Sequence, residues 1–149
     1  MIRGYFLRSG MTRRPFVDVS FMFSPHYQGT FEVPLLVDTG ADRTMLAPLD
    51  AMRLAEEFGI DLLTLPRGTP STGVGGRMET RTIEATLTLD TFSAPLMVTI
   101  LEPRPPLLSI PSLLGRDILS RFALYIEQAQ NLVLLLEPAE AATLRRQLP

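Results

Sequence analysis

The sequence predicts a single, mostly β domain with one clear α-helix. Three observations lead to this prediction. The chain has 149 residues, enough for one ordinary domain. Its 46% of hydrophobic residues, against 20% charged, can form a core. Most of its apolar segments are short and alternate with polar residues, as strands do.

Composition excludes several classes of site. The chain has no cysteine and a single histidine, His26, so disulfides, thiolate catalysis and a multi-histidine metal site within one chain are excluded. All 14 basic residues are arginine, which excludes Schiff-base chemistry and a P-loop lysine. A net charge of −2 gives no sign of the basic surface that binds nucleic acid, so we expect no nucleic-acid partner. Any catalysis must use carboxylates, hydroxyls or arginine.

The ends of the chain predict neither a signal peptide nor a membrane anchor. Residues 1–12 lack the apolar run of about seven residues and the cleavage site that a signal peptide needs. No run of about 18 apolar residues predicts a membrane span. We therefore expect a soluble, cytoplasmic protein with no membrane partner. Its predicted parts are a flexible segment over residues 1–12, a domain over residues 13–138 and a tail over residues 139–149.

The first predicted element pair is a β-hairpin. Residues 16–23 begin with alternating apolar and polar side chains, and residues 30–37 resume strand character after a turn-rich segment. Pro34 has no backbone N–H to donate, so it must occupy an edge or an unbonded position of the ladder.

A helix follows, and then more strands. Between Pro48 and Gly59 the apolar spacing becomes helical, with Pro48 suited to the first turn and Gly59 to the C-terminal cap. The predicted apolar face comprises Leu49, Met52, Leu54, Ala55 and Phe58. The later predicted elements are strands over residues 77–89 and 94–101 and a hairpin over residues 124–136.

Three short motifs could carry chemistry. Residues 35–42 end an apolar strand with the run Asp-Thr-Gly-Ala-Asp, which by itself is typical of a strand followed by a turn. Residues 72–76 read Thr-Gly-Val-Gly-Gly, which is typical of a hairpin turn. Residues 113–119 read Leu-Leu-Gly-Arg-Asp-Ile-Leu, which is typical of a strand that runs into a helix.

Together, the order and spacing of these motifs resemble the retropepsin-like aspartic proteases, a single-lobe family that includes retroviral proteases and bacterial relatives. The resemblance covers residues 16–136 and is closest in type to the bacterial members. It implies a mostly β, single-lobe acid-protease barrel with one or two short helices. It also implies an aspartic endopeptidase whose catalytic residue is Asp38 and which needs no cofactor or metal ion.

The same resemblance assigns supporting roles within the motifs. Thr39 would hydrogen-bond across a dimer axis, and Gly40, followed by Ala41, would allow the backbone and the substrate to approach closely. Asp42 would pair with Arg116 and tie the active-site loop to the start of a helix. The flap that binds substrate would comprise Gly73, Val74, Gly75 and Gly76.

The chemistry requires a second carboxylate. Hydrolysis by water needs one carboxylate to take a proton and one protonated acid to polarise the carbonyl. Two carboxyl groups held close together share one proton, because ionising both would place two negative charges side by side. The chain has one Asp-Thr-Gly, so the partner of Asp38 must be the Asp38 of a second copy. We therefore expect a homodimer that acts on a peptide or protein substrate.

The chain also departs from the retroviral pattern. Arg43 stands at a substrate-facing position where retroviral enzymes often carry an acid, so their side-chain preference does not transfer. The predicted helix, the proline-rich residues 102–106 and the C-terminal hairpin alter the surroundings of the cleft. Leu132–Leu136 could be an interface strand or an internal one, and the sequence leaves both open.

Two other functions compete with proteolysis. The same fold could serve as a non-catalytic dimeric peptide-binding module, or as a purely structural β-domain. The intact Asp38-Thr39-Gly40 run beside a glycine-rich flap argues against the binding module, because capturing a peptide does not require the acid.

Overall fold

The computed structural model describes residues 1–23, 25, 27–73, 76–104 and 109–149, with only the backbone of Ser9. His26 lies outside these residues. The described chain is mostly β, as predicted, with three short α-helices. The strands are β1 (Ile2–Ser9), β2 (Thr12–Met22), β3 (Thr30–Val37), β4 (Met45–Leu46), β5 (Ser71–Gly73), β6 (Gly76–Met78), β7 (Thr80–Leu89), β8 (Phe92–Leu101), β9 (Leu113–Leu114), β10 (Ala123–Glu127) and β11 (Leu132–Leu136). The helices are α1 (Pro48–Phe58), α2 (Arg116–Leu119) and α3 (Pro138–Arg145), and single 3₁₀ turns span Leu62–Thr64 and Gln128–Gln130.

Nine strands form one sheet in the order β10-β11-β1-β2-β3-β9-β4-β8-β7. Strand β7 also pairs with β2, through Ser20–Met22 and Thr86–Thr88, so the six strands from β2 to β7 in this order close into a barrel. Closure gives each of these six strands a neighbour on both sides over part of its length. The remaining pair, β5 and β6, forms a separate two-stranded hairpin. The hairpins predicted over residues 16–37 and 124–136 are confirmed as β2–β3 and β10–β11.

Strand β3 carries the first motif to the end of the barrel. Its side chains alternate between the core and the surface, and the buried ones are Phe31, Val33, Leu35 and Val37. Pro34 is exposed, in the part of β3 that pairs with β2 but not with β9, as its missing N–H requires. Strand β9 joins only at Leu36 and Val37. Leu36 is therefore paired on both sides and Val37 on the β9 side, immediately before Asp38.

Helix α1 covers the barrel with part of the predicted face. Gly59 ends it in the left-handed conformation, with φ of 64°, as the sequence predicts. Ala51 and Leu54 are fully buried. Leu49 and Met52, which we expected on the buried face, are exposed because Ala51 and Leu54 turn toward the barrel instead. The ring of Phe58 packs edge-on against those of Phe23 and Phe31.

The strand predicted over residues 77–89 is divided in two. Residues before Glu79 belong to β6 and pair with β5, whereas residues after it belong to β7 and pair with β8 and β2. The chain that leads into β5 lies against β7, where the N–H of Gly68 donates to the Thr80 carbonyl at 3.0 Å. The β5–β6 hairpin thus leaves the barrel from a root that is anchored to β7.

The N-terminal residues form part of the sheet, which differs from the flexible segment expected over residues 1–12. Strand β1 pairs with β11 through Ile2–Gly4 and with β2 through Tyr5–Ser9. Ile2 and Phe6 are buried, at 4% and 8% exposure. Burial of these two apolar side chains stabilises β1. The polar residues between them hid the strand pattern in the sequence. The sheet therefore begins before the predicted domain boundary at residue 13.

The C-terminal residues are also tied to this sheet. Strand β11 lies between β10 and β1, so both of its edges are filled and it is an internal strand. Helix α3 takes up most of the predicted tail, begins with a reciprocal capping box between Glu137 and Glu140, and buries Ala141. Glu140 also pairs with the amino group of Met1. None of the helices in the described ranges is long and apolar enough to cross a membrane.

Candidate active site

Asp38 opens a tight loop at the end of β3. Its N–H donates to the Leu114 carbonyl of β9 at 3.2 Å, which fixes its backbone. The N–H of Gly40 donates to Asp38 Oδ1 at 2.8 Å, and the N–H of Ala41 donates to the Asp38 carbonyl at 3.3 Å. A Cβ at Gly40 would lie only 3.2 Å from Oδ1. The loop therefore holds one carboxylate oxygen by a backbone bond, while Oδ2 accepts none from any described residue.

Helix α2 is fastened to this loop through backbone groups. The N–H of Arg116 donates to the Ala41 carbonyl at 2.8 Å, and the N–H of Asp117 donates to the Asp42 carbonyl at 3.2 Å. The first turn of a helix has N–H groups without partners inside the helix, and here the Asp38 loop accepts two of them. The two predicted motifs, Asp38–Asp42 and Arg116, thus meet in space.

The side chains of Asp42 and Arg116 form the ion pair that the resemblance implies. Both are exposed, at 78% and 59%, so solvent screening leaves such a pair worth at most about 1 kcal/mol. The backbone bonds, and not this ion pair, are the main tie between loop and helix.

A third contact between the loop and helix α2 was not predicted from the sequence. Thr44 is fully buried, and its N–H and hydroxyl donate to the two carboxylate oxygens of Asp117 at 2.8 and 2.7 Å. The same hydroxyl accepts the N–H of Gly115 at 3.2 Å. Asp117 was visible in the sequence as the acid after Arg116. Nothing there indicated that it would bind a threonine 73 residues away.

We expect Asp117→Ala to lower the free energy of unfolding by about 2–3 kcal/mol, since it leaves two buried donors of Thr44 unsatisfied. Urea denaturation of both proteins measures the difference. Asp117→Asn serves as the control, because its amide oxygen can still accept the Thr44 N–H and it should lose less than half as much. Equal stability of Asp117→Ala and the unmutated chain would contradict a stabilising role for this contact.

A fourth contact connects the site to α1. The Ser112 hydroxyl accepts the N–H of Ala47 at 2.9 Å and donates to Asp50 Oδ2 at 2.6 Å. The Ser112 carbonyl accepts the N–H of Leu36 from β3, also at 2.9 Å. Asp50 is half-buried and anchors the helix to the segment before β9.

The loop borders a cleft of about 1040 Å³. This volume is at the upper end of ligand-binding clefts and suits a segment of extended peptide. Asp38, Gly40, Ala41 and Asp42 line it from the loop, and the apolar side chains in its wall are Leu36, Met45, Met78, Leu101, Ile110 and Leu113.

The β5–β6 hairpin contributes to the same cleft. Gly73 and Gly76 pair with each other in the hairpin and line the cleft together with Thr72. Gly76 has φ of 91°, a conformation that side chains rarely adopt. The other two predicted flap residues, Val74 and Gly75, lie outside the described residues. The second predicted motif thus borders the space that Asp38 faces.

The acids of the cleft are few. Of the described residues that line it, only Asp38 and Asp42 carry carboxylates, and Asp42 is paired with Arg116. Thr39 is exposed at the tip of the loop. Within the described ranges no three acidic or histidine side chains come together in a way that could hold a metal ion.

Comparison with known proteins bears on the fold. No protein-family model matches the sequence, and no curated protein matches it significantly. The solved structure of EIAV protease complexed with the inhibitor HBY-793 matches with a TM-score of 0.52 and 23% identity, over 76% of this chain and 92% of that one. A retropepsin-like aspartic protease from Rickettsia conorii matches with a TM-score of 0.55 and 20% identity, over 81% of this chain and 89% of that one. The chain therefore has the single-lobe retropepsin-like fold.

Proposed function

We propose that this chain is an aspartic endopeptidase that works as a homodimer. The observation that carries the proposal is the Asp38 carboxylate, oriented by the Gly40 N–H and facing a peptide-sized cleft in a retropepsin-like fold. Acid-base hydrolysis needs a carboxylate that is held in place and open to water and substrate. Asp38 meets both conditions.

The second carboxylate would come from a partner copy. Asp42 is the other acid among the described lining residues, and its carboxylate is engaged by the Arg116 guanidinium group. The exposed tip of the loop, at Thr39 and Gly40, leaves room for a second loop around a two-fold axis. In the proposed dimer, Thr39 hydrogen-bonds across this axis and the two Asp38 carboxyls share one proton.

Catalysis then follows from the shared proton. The ionised Asp38 takes a proton from water as the water oxygen bonds to the peptide carbonyl carbon, and the protonated Asp38 donates to the carbonyl oxygen. A proton then passes to the amide nitrogen, the C–N bond breaks, and a carboxylic acid and an amine leave. No cofactor takes part in these steps.

Substrate would bind as an extended strand between the Asp38 loop and the β5–β6 hairpin. Gly73 and Gly76 leave backbone groups accessible to a peptide and allow the hairpin to act as a flap. The apolar wall favours apolar side chains beside the scissile bond.

Cleavage of a diverse peptide library, read by mass spectrometry from acidic to neutral pH, tests the proposal. We expect cleavage at a defined set of sites, and a specific rate that falls on dilution as the dimer dissociates. Binding of peptides without cleavage, by a folded dimer, would instead favour the non-catalytic peptide-binding module. A specific rate that is independent of concentration far below the dimer dissociation constant would contradict the shared site.

A further inference from the structure

Two arginines that line the cleft have no role in the proposed chemistry. They are Arg14 on β2 and Arg43 in the active-site loop. Neither forms a side-chain hydrogen bond or ion pair with any described residue, whereas Arg116 is paired with Asp42. A guanidinium group stays charged at every pH at which a protein is folded. The cleft therefore contains two positively charged groups that no described side chain pairs with.

The backbone of Arg43 is held rigidly from both sides. The preceding carbonyl, that of Asp42, accepts the N–H of Asp117, and the following residue, Thr44, is fully buried and bound to the Asp117 carboxylate. Gly115 packs directly against the Arg43 backbone, where a Cβ would lie 2.4 Å from its carbonyl carbon. Only the Arg43 side chain is free to move, because its backbone is fixed. A charged side chain on a fixed backbone loses less conformational entropy when it binds a partner.

We infer that Arg43 selects substrates with an acidic side chain at a position that flanks the apolar pair of the scissile bond. The inference rests on the proposed function and names the substrate class of the same site. The planar guanidinium group binds a carboxylate through two parallel hydrogen bonds, which favours Asp or Glu over neutral residues of the same shape. The same charge repels Lys and Arg at that position. Arg14 also adds positive charge to the cleft, but it lies on β2, whereas Arg43 belongs to the Asp38 loop itself, so we assign the selection to Arg43.

Matched peptides test this assignment. Every peptide has an apolar pair at its centre. Within a set, the peptides differ only in having Glu, Gln or Lys at one flanking position, and there is one set for each flanking position. For the position that Arg43 faces, we expect kcat/KM for Glu to exceed that for Gln about tenfold. Arg43→Gln should reduce this ratio to about one, and Arg43→Glu should reverse the preference toward Lys. Arg146→Gln, which removes an exposed arginine outside the cleft, should keep the tenfold ratio.

Fluorescence anisotropy with the same peptides separates this inference from the proposed function. If the unmutated chain binds Glu peptides best, loses this preference in Arg43→Gln and cleaves none of them, proteolysis fails and the inference stands. A Glu preference of the same size in Arg43→Gln would overturn the inference, whether or not cleavage occurs. Equal treatment of Glu, Gln and Lys by the unmutated chain, or binding of none of the peptides, would overturn it as well.

Discussion

Replacing Asp38 with Asn is expected to lower kcat about 10³-fold while the fold and peptide binding persist. An amide cannot take a proton from water or share one with a second carboxyl group. Its oxygen can still accept the Gly40 N–H, so the loop should keep its shape. Peptide cleavage measures the rate, and anisotropy with the same peptide measures binding. A factor of 10³ corresponds to about 4 kcal/mol of transition-state stabilisation.

Asp90→Asn is the matched control for this substitution. Asp90 is exposed in the turn between β7 and β8, with φ of 51°, and asparagine adopts this conformation readily. The same chemical change there should leave kcat unchanged. Residual activity of Asp38→Asn near that of Asp90→Asn would contradict the catalytic role of Asp38.

The Asp38→Asn chain also tests whether two copies share one site. At a fixed amount of unmutated chain, a tenfold excess of the Asp38→Asn chain should reduce the rate to about a tenth, because most unmutated chains then exchange into a dimer with an inactive copy. An excess of Asp90→Asn should produce no such loss. A rate that the excess does not change would mean that one chain is sufficient for catalysis.

The second large effect is expected from removing β1. A chain that starts at Met11 should lose at least about 4 kcal/mol of unfolding free energy, since it forfeits the burial of Ile2 and Phe6 and the ladders to β2 and β11. It also leaves an edge of β11 open to association. Urea denaturation gives the loss in stability, and sedimentation shows the association.

A truncation at the other end provides the control. Residues 147–149 are exposed, so their removal should change the unfolding free energy by less than about 0.5 kcal/mol. If the chain from Met11 does not fold, Phe6→Ala measures part of the same contact and should cost about 2–3 kcal/mol. An unchanged urea midpoint in the chain from Met11 would mean that β1 is the loose segment first expected from the sequence.

Much of the fold could be read from local patterns. The β2–β3 and β10–β11 hairpins and helix α1 were predictable because each is specified by neighbouring residues: an alternation, a turn, or Pro48 and Gly59 at the helix ends. The position of Asp38 after a buried strand was predictable for the same reason. Strand β1 was not, because its partners β2 and β11 decide its burial and only two of its apolar side chains face the core.

The candidate chemistry could be predicted from the sequence: the composition has no thiol and no lysine, and the family resemblance implied the role of Asp38 and the ion pair between Asp42 and Arg116. What supports this chemistry depends on tertiary contacts. Thr44 with Asp117 and Ser112 with Asp50 are polar pairs 73 and 62 residues apart, joined because burial makes an unpaired donor costly. The unneutralised charge of Arg43 in the cleft is likewise a tertiary fact, since it depends on which side chains the fold leaves without a partner.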